Sequence, residues 1–224
     1  MTAVRSSSIG AAASGTAVTV SAPAGTTAGD LVIVVVHCNA NTTIVDNNGA
    51  TPFTEDLNDY QNVGAGQTGS IFSRRIVAGD PPTYAFTLGT STRWTAVAIT
   101  FSGPDPSAIY DVAPTVGNSA RDTGNPSFAS LDITTLTNGA FHLIYGLPDG
   151  NSQSASATPP GYTVEQNGGN QGIAAAWKVI SPAGATGAQT WTWTVSTPSI
   201  TFSFAVKAAA VSAADGAGRP YWFD

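Results

Sequence analysis

The stretch Gly29-Asp30-Leu31-Val32-Ile33-Val34-Val35-Val36 is a turn followed by six consecutive apolar residues. A short apolar run bounded by turn residues predicts a strand that is buried on both faces, or a core strand of a sandwich. A similar stretch, Asn138-Gly139 followed by Ala140–Tyr145, places Phe141 110 positions after Leu31. The chain therefore carries two candidate core strands, one in each half.

The segments that follow these two runs correspond in order. In the first half they are Pro52-Phe53-Thr54, Ser70–Val77, Tyr84–Leu88 and Thr95–Phe101. In the second half they are Pro160–Thr163, Ile173–Ile180, Trp191–Val195 and Ile200–Val206. An ordered repeat of this kind predicts a duplicated β unit, and it favours a scaffold over a catalyst.

Composition supports the same fold class. The chain has 24 glycines and 14 prolines, while Glu occurs only at Glu55 and Glu165, and Thr, Val, Ile and aromatic residues fill the runs between the turns. This is the strand-and-turn composition of an all-β protein. We predict an antiparallel β-sandwich built from two sequence-similar halves.

The predicted sandwich covers residues 16–207, with halves of about 16–103 and 127–207 joined by 104–126. Residues 1–15 are predicted to form an N-terminal arm. A single sandwich is favoured over two separate domains because no Gly/Ser-rich or charged linker separates the halves. The stretch 208–224 differs in composition, since small residues lead into Arg219-Pro220-Tyr221-Trp222-Phe223-Asp224.

The aromatic tail has two interpretations. Three consecutive aromatic residues in an exposed position reduce solubility unless something covers them. The tail folds back on its own sandwich in one interpretation. In the other it docks on a neighbouring subunit, with Arg219, Tyr221, Trp222 and Phe223 as anchors, since aromatic and arginine side chains dominate interface energies.

Charge argues against nucleic-acid binding. The net charge is −6, and the two lysines, Lys178 and Lys207, lie far apart in the sequence. Only Arg74-Arg75 stand together, and a surface that follows a phosphate backbone needs a larger basic patch. A buried or interfacial role is therefore expected for the two arginines. No run approaches the length of a membrane helix and residues 1–10 lack the apolar core of a secretory signal, so synthesis in a cytoplasm is expected.

The residues capable of chemistry favour structural interpretations. His37 and His142 lie at the predicted core strands without the spacing of a zinc site, although their pairing in space is conceivable. The single cysteine, Cys38, is expected to be a small buried residue. The sequence Asp46-Asn47-Asn48-Gly49 fits an ordinary turn better than a calcium loop, because the distal glutamate of such a loop is missing. No cofactor is expected.

Two further alternatives concern carbohydrates. A glycosidase needs two convergent carboxylates, and Glu55 and Glu165 occupy roughly equivalent places in the two halves, which favours a structural role. A glycan-binding module needs exposed aromatic rings beside Asn or Asp. The candidates in loops are Tyr60, Tyr110 and Tyr162, whereas Trp94, Trp177, Trp191 and Trp193 lie in predicted strands and are expected in the core.

A family resemblance rests on the spacing of turns and strands. It is carried by Gly29–Val34, Pro52–Thr54, Phe72–Arg75, Gly79–Thr87, Ala96–Gly103, Asp105 and Ile109–Asp111. This pattern, which covers most of residues 25–207, resembles a widespread group of tailed-bacteriophage virion proteins. Phe53 replaces the usual Trp and Arg74-Arg75 replace the usual Tyr-Lys, while Ala176–Val179 in the second half is closer to the usual form. The tail lies outside the resemblance.

The resemblance implies a jelly-roll-like β-sandwich and a non-enzymatic structural role on a virus particle. The expected location is the virion, on the head as a capsid decoration or on the tail. The expected partners are other virion proteins and further copies of the chain, with no nucleic acid and no membrane. The alternative is a glycan-binding module of a tail fibre, and an enzyme acting on polysaccharide is the least favoured.

Overall fold

A computed structural model of the chain describes residues 2–62, 66–119 and 126–210. These residues form sixteen β-strands and no helix, and the sheets are antiparallel, so the predicted all-β fold class is confirmed. The first eight strands are β1 (Ala3–Ala12), β2 (Ala17–Ser21), β3 (Leu31–Cys38), β4 (Ile44–Asp46), β5 (Thr54–Asn62), β6 (Gln67–Arg75), β7 (Thr83–Leu88) and β8 (Trp94–Ser102). The second eight are β9 (Tyr110–Ser119), β10 (Ser127–Ala129), β11 (Ala140–Pro148), β12 (Ala155–Ala157), β13 (Thr163–Gly168), β14 (Ile173–Ile180), β15 (Thr190–Trp193) and β16 (Ser199–Val206).

The strands form four sheets whose order recurs in the two halves. The first half has a five-stranded sheet, β1-β8-β3-β6-β5, and a three-stranded sheet, β2-β7-β4. The second half has β9-β16-β11-β14-β13 and β10-β15-β12, which is the same order with each strand number raised by eight. This strand order matches that of an eight-stranded jelly roll, which consists of two Greek keys, except that the fifth strand of each half pairs within the larger sheet.

Strand β3 buries both faces because its alternate residues enter different cores. Leu31, Ile33 and Val35 pack against the five-stranded sheet of the second half, in a cluster that we call the central core. Val32, Val34 and Val36 pack on the opposite side against β2, β7 and β4, in the first outer core. Each of these side chains is fully buried, which contributes about 1.5–3 kcal/mol apiece.

The four sheets therefore stack as three-, five-, five- and three-stranded layers. In the second half, Ile144 faces Trp191 and Trp193 in the second outer core, while Leu143 and Tyr145 face the central core. Both five-stranded sheets supply residues to the central core, so the two halves are joined by a continuous apolar contact. Each half also closes a smaller sandwich of its own.

Strands β3 and β11 correspond residue by residue. Gly29 N–H donates to Ile76 O at 2.9 Å before β3, and Gly139 N–H donates to Ile180 O at 2.9 Å before β11. After the strands, Asn39 N–H donates to Arg93 O at 3.0 Å, and Asp149 N–H donates to Pro198 O at 2.7 Å. These matching bonds align Leu31 with Phe141 and His37 with Leu147.

Two segments that were predicted to lie outside the two halves form edge strands. Within residues 1–15, β1 pairs with β8, and within 104–126, β9 pairs with β16. No residue of β1 is buried, so this strand can carry Ser6-Ser7-Ser8. Pro114 lacks a backbone N–H and lies at a register shift of the edge strand β9, where no ladder hydrogen bond is lost. The second eight-stranded unit thus begins at Tyr110, earlier than the expected boundary of 127.

Register irregularities mark the edges of the two large sheets. The pairings of β1, β5, β13 and β9 with their neighbours all contain a shift, whereas the pairings of β3 and β11 run without one. A bulge bends a strand and interrupts its ladder of backbone groups, which makes the edge a poor template for another strand.

Replacing Gly69 with alanine should destabilise the contact between the halves. A Cβ at Gly69 would lie 2.8 Å from Phe202 Cζ and 3.1 Å from Leu147 Cδ2, both in the central core. Overpacking of this kind should lower the free energy of unfolding by about 1–3 kcal/mol, measured by urea denaturation. Gly184→Ala is the matched control, because nothing lies within 4 Å of its added Cβ. Equal stability of the two variants would contradict close packing at Gly69.

Candidate functional site

The most unusual polar group of the described chain is Arg74, whose guanidinium is buried at the end of β6. Its position follows from strand alternation, since Phe72 and Arg74 point to the same side of β6, toward the first outer core. The guanidinium carbon lies 4.4 Å from the ring centroid of Phe53 and 5.1 Å from that of Tyr84. A cation between two aromatic faces is stabilised by their negative potential.

Asp80 supplies the charge that balances Arg74. Its Oδ2 lies 3.1 Å from Arg74 Nη2, and the two side chains are 9% and 6% exposed. Arg74 Nη1 also donates to the backbone oxygen of Thr51. We call Phe53, Arg74, Asp80 and Tyr84 the arginine cluster. Apart from the ion pair, neither carboxylate oxygen of Asp80 has a hydrogen-bond partner in the described part of the chain.

The arginine cluster borders a cavity of about 320 Å³ between residues 22–28 and residues 76–82. Asp80 and Tyr84 line this cavity, together with proline, alanine and glycine residues of the two turns. Burial raises the pKa of Tyr84, an effect partly offset by the charge of Arg74. The cluster thus offers a charge-balanced pair and a neutral phenol, which can brace a turn but supply no nucleophile paired with a base.

His37 joins the two halves through hydrogen bonds at both ring nitrogens. Nδ1 lies 2.8 Å from Gly172 O in the second half, and Nε2 lies 2.9 Å from Gln67 Oε1, an atom that exchanges places with the amide nitrogen when the amide is turned by 180°. Burial lowers the pKa of His37 to about 4, so the ring is neutral at pH 7. A neutral ring that donates from Nδ1 accepts at Nε2, which requires the amide nitrogen of Gln67 to face it.

Further polar contacts between the halves surround His37. Gln171 N–H donates to Thr95 Oγ1 at 3.0 Å, and Arg93 Nε donates to Gln171 Oε1 at 3.4 Å. With its amide nitrogen facing the carboxylate, Asn39 donates to Asp149 Oδ1 at 2.8 Å and accepts from Arg93 Nη2 at 2.8 Å. These bonds hold the halves together at the C-terminal ends of β3 and β11.

His142 lies elsewhere and does not pair with His37. It is the third residue of β11, and its Nδ1 and Nε2 lie 2.6 Å from Tyr162 Oη and 2.9 Å from Ser203 Oγ. Burial lowers its pKa to about 4. Ser203 is 1% exposed, so the serine–histidine pair is closed to a substrate. His142 aligns with Val32, so the two histidines do not occupy equivalent positions in the two halves.

The carboxylates considered for glycoside hydrolysis do not converge. Glu55 lies on β5, which stacks near β9, whereas Glu165 lies on β13, which stacks near β1 at the opposite edge. Glu55 and Glu165 are also not equivalent in register, contrary to expectation. Glu165 is the residue skipped by the bulge of β13, and its counterpart is Asp56, which is skipped by the first bulge of β5. Asp56 Oδ2 accepts from Tyr110 Oη at 2.7 Å, and Glu165 Oε1 accepts from Trp177 Nε1 at 2.7 Å.

The sequence Asp46-Asn47-Asn48-Gly49 forms a turn in which the Asp46 carboxylate accepts hydrogen bonds from other groups of the protein. Asp46 Oδ2 accepts from Phe53 N–H at 3.1 Å, and its Oδ1 accepts from the Asn48 side chain. Asn48 in turn bonds both backbone groups of Ala85. Among residues 2–62, 66–119 and 126–210, no three His, Cys, Asp or Glu side chains gather as a metal site requires.

The remaining candidates are largely buried. Cys38 is fully buried, and burial raises the pKa of its thiol to about 12. Trp94, Trp191 and Trp193 lie in the outer cores, and Trp177 packs beside the central core. Tyr60, Tyr110 and Tyr162 are half-buried and pack on core clusters, so none of these tyrosines is the exposed ring that glycan stacking needs. Arg219, Tyr221, Trp222 and Phe223 lie outside the described residues.

Sequence reasoning missed the partnership of Arg74 with Asp80. The available signal was the alternation in β6, which places Arg74 on the same face as Phe72 and so requires a buried counter-charge. The described part of the chain also contains no helix long and apolar enough to span a membrane. No known family model matches the chain, and comparison with curated proteins likewise gives no match.

Replacing Asp80 with asparagine should strongly destabilise the protein. The change leaves the buried charge of Arg74 without its counter-ion, a loss that usually costs about 3–5 kcal/mol. Chemical denaturation, monitored by tryptophan fluorescence, measures this loss in the free energy of unfolding. The double variant Arg74→Met/Asp80→Asn should recover part of the loss, since the orphaned charge is gone. Additive effects of the two single changes would contradict the pairing.

The stability of the protein should fall in mild acid because of His37. The unfolded chain takes up a proton near pH 6.5, but the folded pKa of His37 is about 4. The neutral state of His37 therefore contributes fully to the free energy of unfolding above pH 6.5. This contribution, about 3 kcal/mol in total, is lost as the pH falls toward 4. Urea midpoints between pH 7 and pH 4.5 should decline less steeply in His37→Gln than in the unaltered chain. Parallel curves would contradict a neutral buried ring.

Proposed function

We propose that the protein is a non-enzymatic structural component of a bacteriophage virion, displayed on the particle as a capsid decoration or a tail-associated subunit. The observation that carries this proposal is the jelly-roll strand order, which occurs once in each half. Jelly rolls are a recurrent architecture of viral capsid proteins. Fold alone does not decide function, so the use of the side chains matters as well.

Three aspartates in the segments that resemble tailed-bacteriophage proteins support a structural role. Asp30 accepts from Thr27 N–H at 2.8 Å and pairs with Arg5 at 2.8 Å. Asp80 balances Arg74. Asp105 accepts from the backbone N–H groups of residues 107 and 108 at 2.8 and 3.0 Å. Hydrogen bonds from serine and backbone groups depress the pKa of Asp105. Each carboxylate thus braces a turn between strands.

The partners that this role implies are other virion proteins and further copies of the chain. The bulged edges of the large sheets disfavour strand addition, so contacts through loops and sheet faces are favoured. A net charge of −6 agrees with a surface that does not bind nucleic acid. The virion is the proposed location.

The proposal predicts that particles contain this chain in many copies. Phage produced from a genome in which the gene is disrupted should lack the corresponding band, and complementation with the unaltered gene should restore it. Electron microscopy of particles that carry an epitope-tagged copy should show regularly placed label on head or tail. A tagged chain that is synthesised in infected cells yet absent from purified particles would refute the proposal.

A further inference from the structure

A second cavity lies where the described chain leaves the second sandwich. It has a volume of about 300 Å³ and is lined by Thr2, Asn138, Gly139, Phe141, Val179, Ser181, Ala208 and Ala209. We call it the exit pocket. Val179 is 42% exposed there, although it sits on an interior strand of a five-stranded sheet. Phe141 provides an aromatic wall, and its ring packs 5.5 Å from that of Trp177.

The last described residues are anchored to the wall of this pocket. Ala208 forms a bridge with Pro104, and Ala209 N–H donates to Thr2 Oγ1 at 3.0 Å. Thr2 Oγ1 in turn donates to Gly103 O at 2.6 Å. Residues 211–224 therefore start from a fixed point on the rim of the exit pocket, and they contain Tyr221-Trp222-Phe223.

We propose that the exit pocket is the receptor for the aromatic segment Tyr221-Trp222-Phe223 of the same chain. The residues between Ala210 and Tyr221 can span up to about 35 Å when extended, more than a return to the adjacent pocket requires. Their composition, with Gly216 and Gly218, permits the necessary reversal. The segment thus covers Val179 and Phe141, and its own rings leave water.

The chemistry of the pocket fits an aromatic ring with a polar edge. Phe141, Val179 and the two alanines form the apolar wall, while Thr2, Asn138 and Ser181 place hydroxyl and amide groups around it. Buried tyrosine and tryptophan rings need such a partner for their O–H or N–H.

The segment of the same chain is a better occupant than that of a second copy. Attachment at the rim gives the tail an effective concentration on the order of millimolar. A second copy in micromolar solution competes poorly against that value. Of the two interpretations of the tail, tethering beside the pocket thus favours the return to its own sandwich.

Chymotrypsin provides a direct test, since it cleaves after the three aromatic residues. In the full chain, docking should protect the segment, and Val179→Glu should accelerate its release at least tenfold by placing a charge in the pocket. Val195→Glu is the matched control, because Val195 is 50% exposed and lies outside the pocket. Its rate should stay within twofold of the unaltered chain. Equal rates for the two glutamate variants would overturn the proposal.

A second variant avoids any change to the sandwiches. Replacing Tyr221, Trp222 and Phe223 together with alanine should leave the thermal transition cooperative and should speed hydrogen exchange of the Ala209 amide at least tenfold. Unchanged exchange would overturn the proposal. Sedimentation at micromolar concentration distinguishes the two occupants in the unaltered chain. Deleting 216–224 should leave the association state unchanged, and a dimer that is lost with the tail would identify a second copy as the occupant.

Discussion

The structure depends on the burial of two strands on both of their faces. Strands β3 and β11 each place alternate residues in the central core and in an outer core, so neither strand has a solvent-exposed face. Every other layer is positioned by this requirement, because a large sheet lies between two apolar surfaces that must each be covered. The stack of four sheets is the arrangement that covers them.

The scarcity of charge makes each charged group specific in its use. With charged residues at 10% of the chain, the described ion pairs of Arg5 with Asp30, Arg74 with Asp80 and Lys207 with Asp105 all fasten turns or segment ends. The pair of Arg74 with Asp80 is the most deeply buried. Removing one partner of such a pair lowers the free energy of unfolding by more than the pair contributes, because the remaining buried charge is neither paired nor hydrated. These sites therefore specify the loop geometry more than they add stability.

The sequence was sufficient to predict the fold class and the two central strands. Apolar runs such as Leu31–Val36 are diagnostic because apolar residues on both faces of a strand require an apolar layer on each side. The edge strands β1 and β9 were missed, since Ser6-Ser7-Ser8 and Pro114 lack the alternation that an interior strand shows. The contact of His37 with Gly172 depends on how two distant segments meet, and no local pattern in the sequence encodes that meeting. For Arg74, alternation in β6 indicates that a counter-charge is needed, but only the path of the turn after β6 shows that Asp80 supplies it.

The alignment of His37 with Leu147 has a consequence for the origin of the interface. Two identical chains related by a two-fold axis place the same residue on both sides of their contact. Here one side carries an imidazole that bonds Gly172 O, and the other carries a leucine that packs on Gly69. Such complementary specialisation requires two halves of different sequence, which this chain provides by joining them in one polypeptide. Either half, produced alone and paired with itself, would set two histidines or two leucines in positions shaped for one of each.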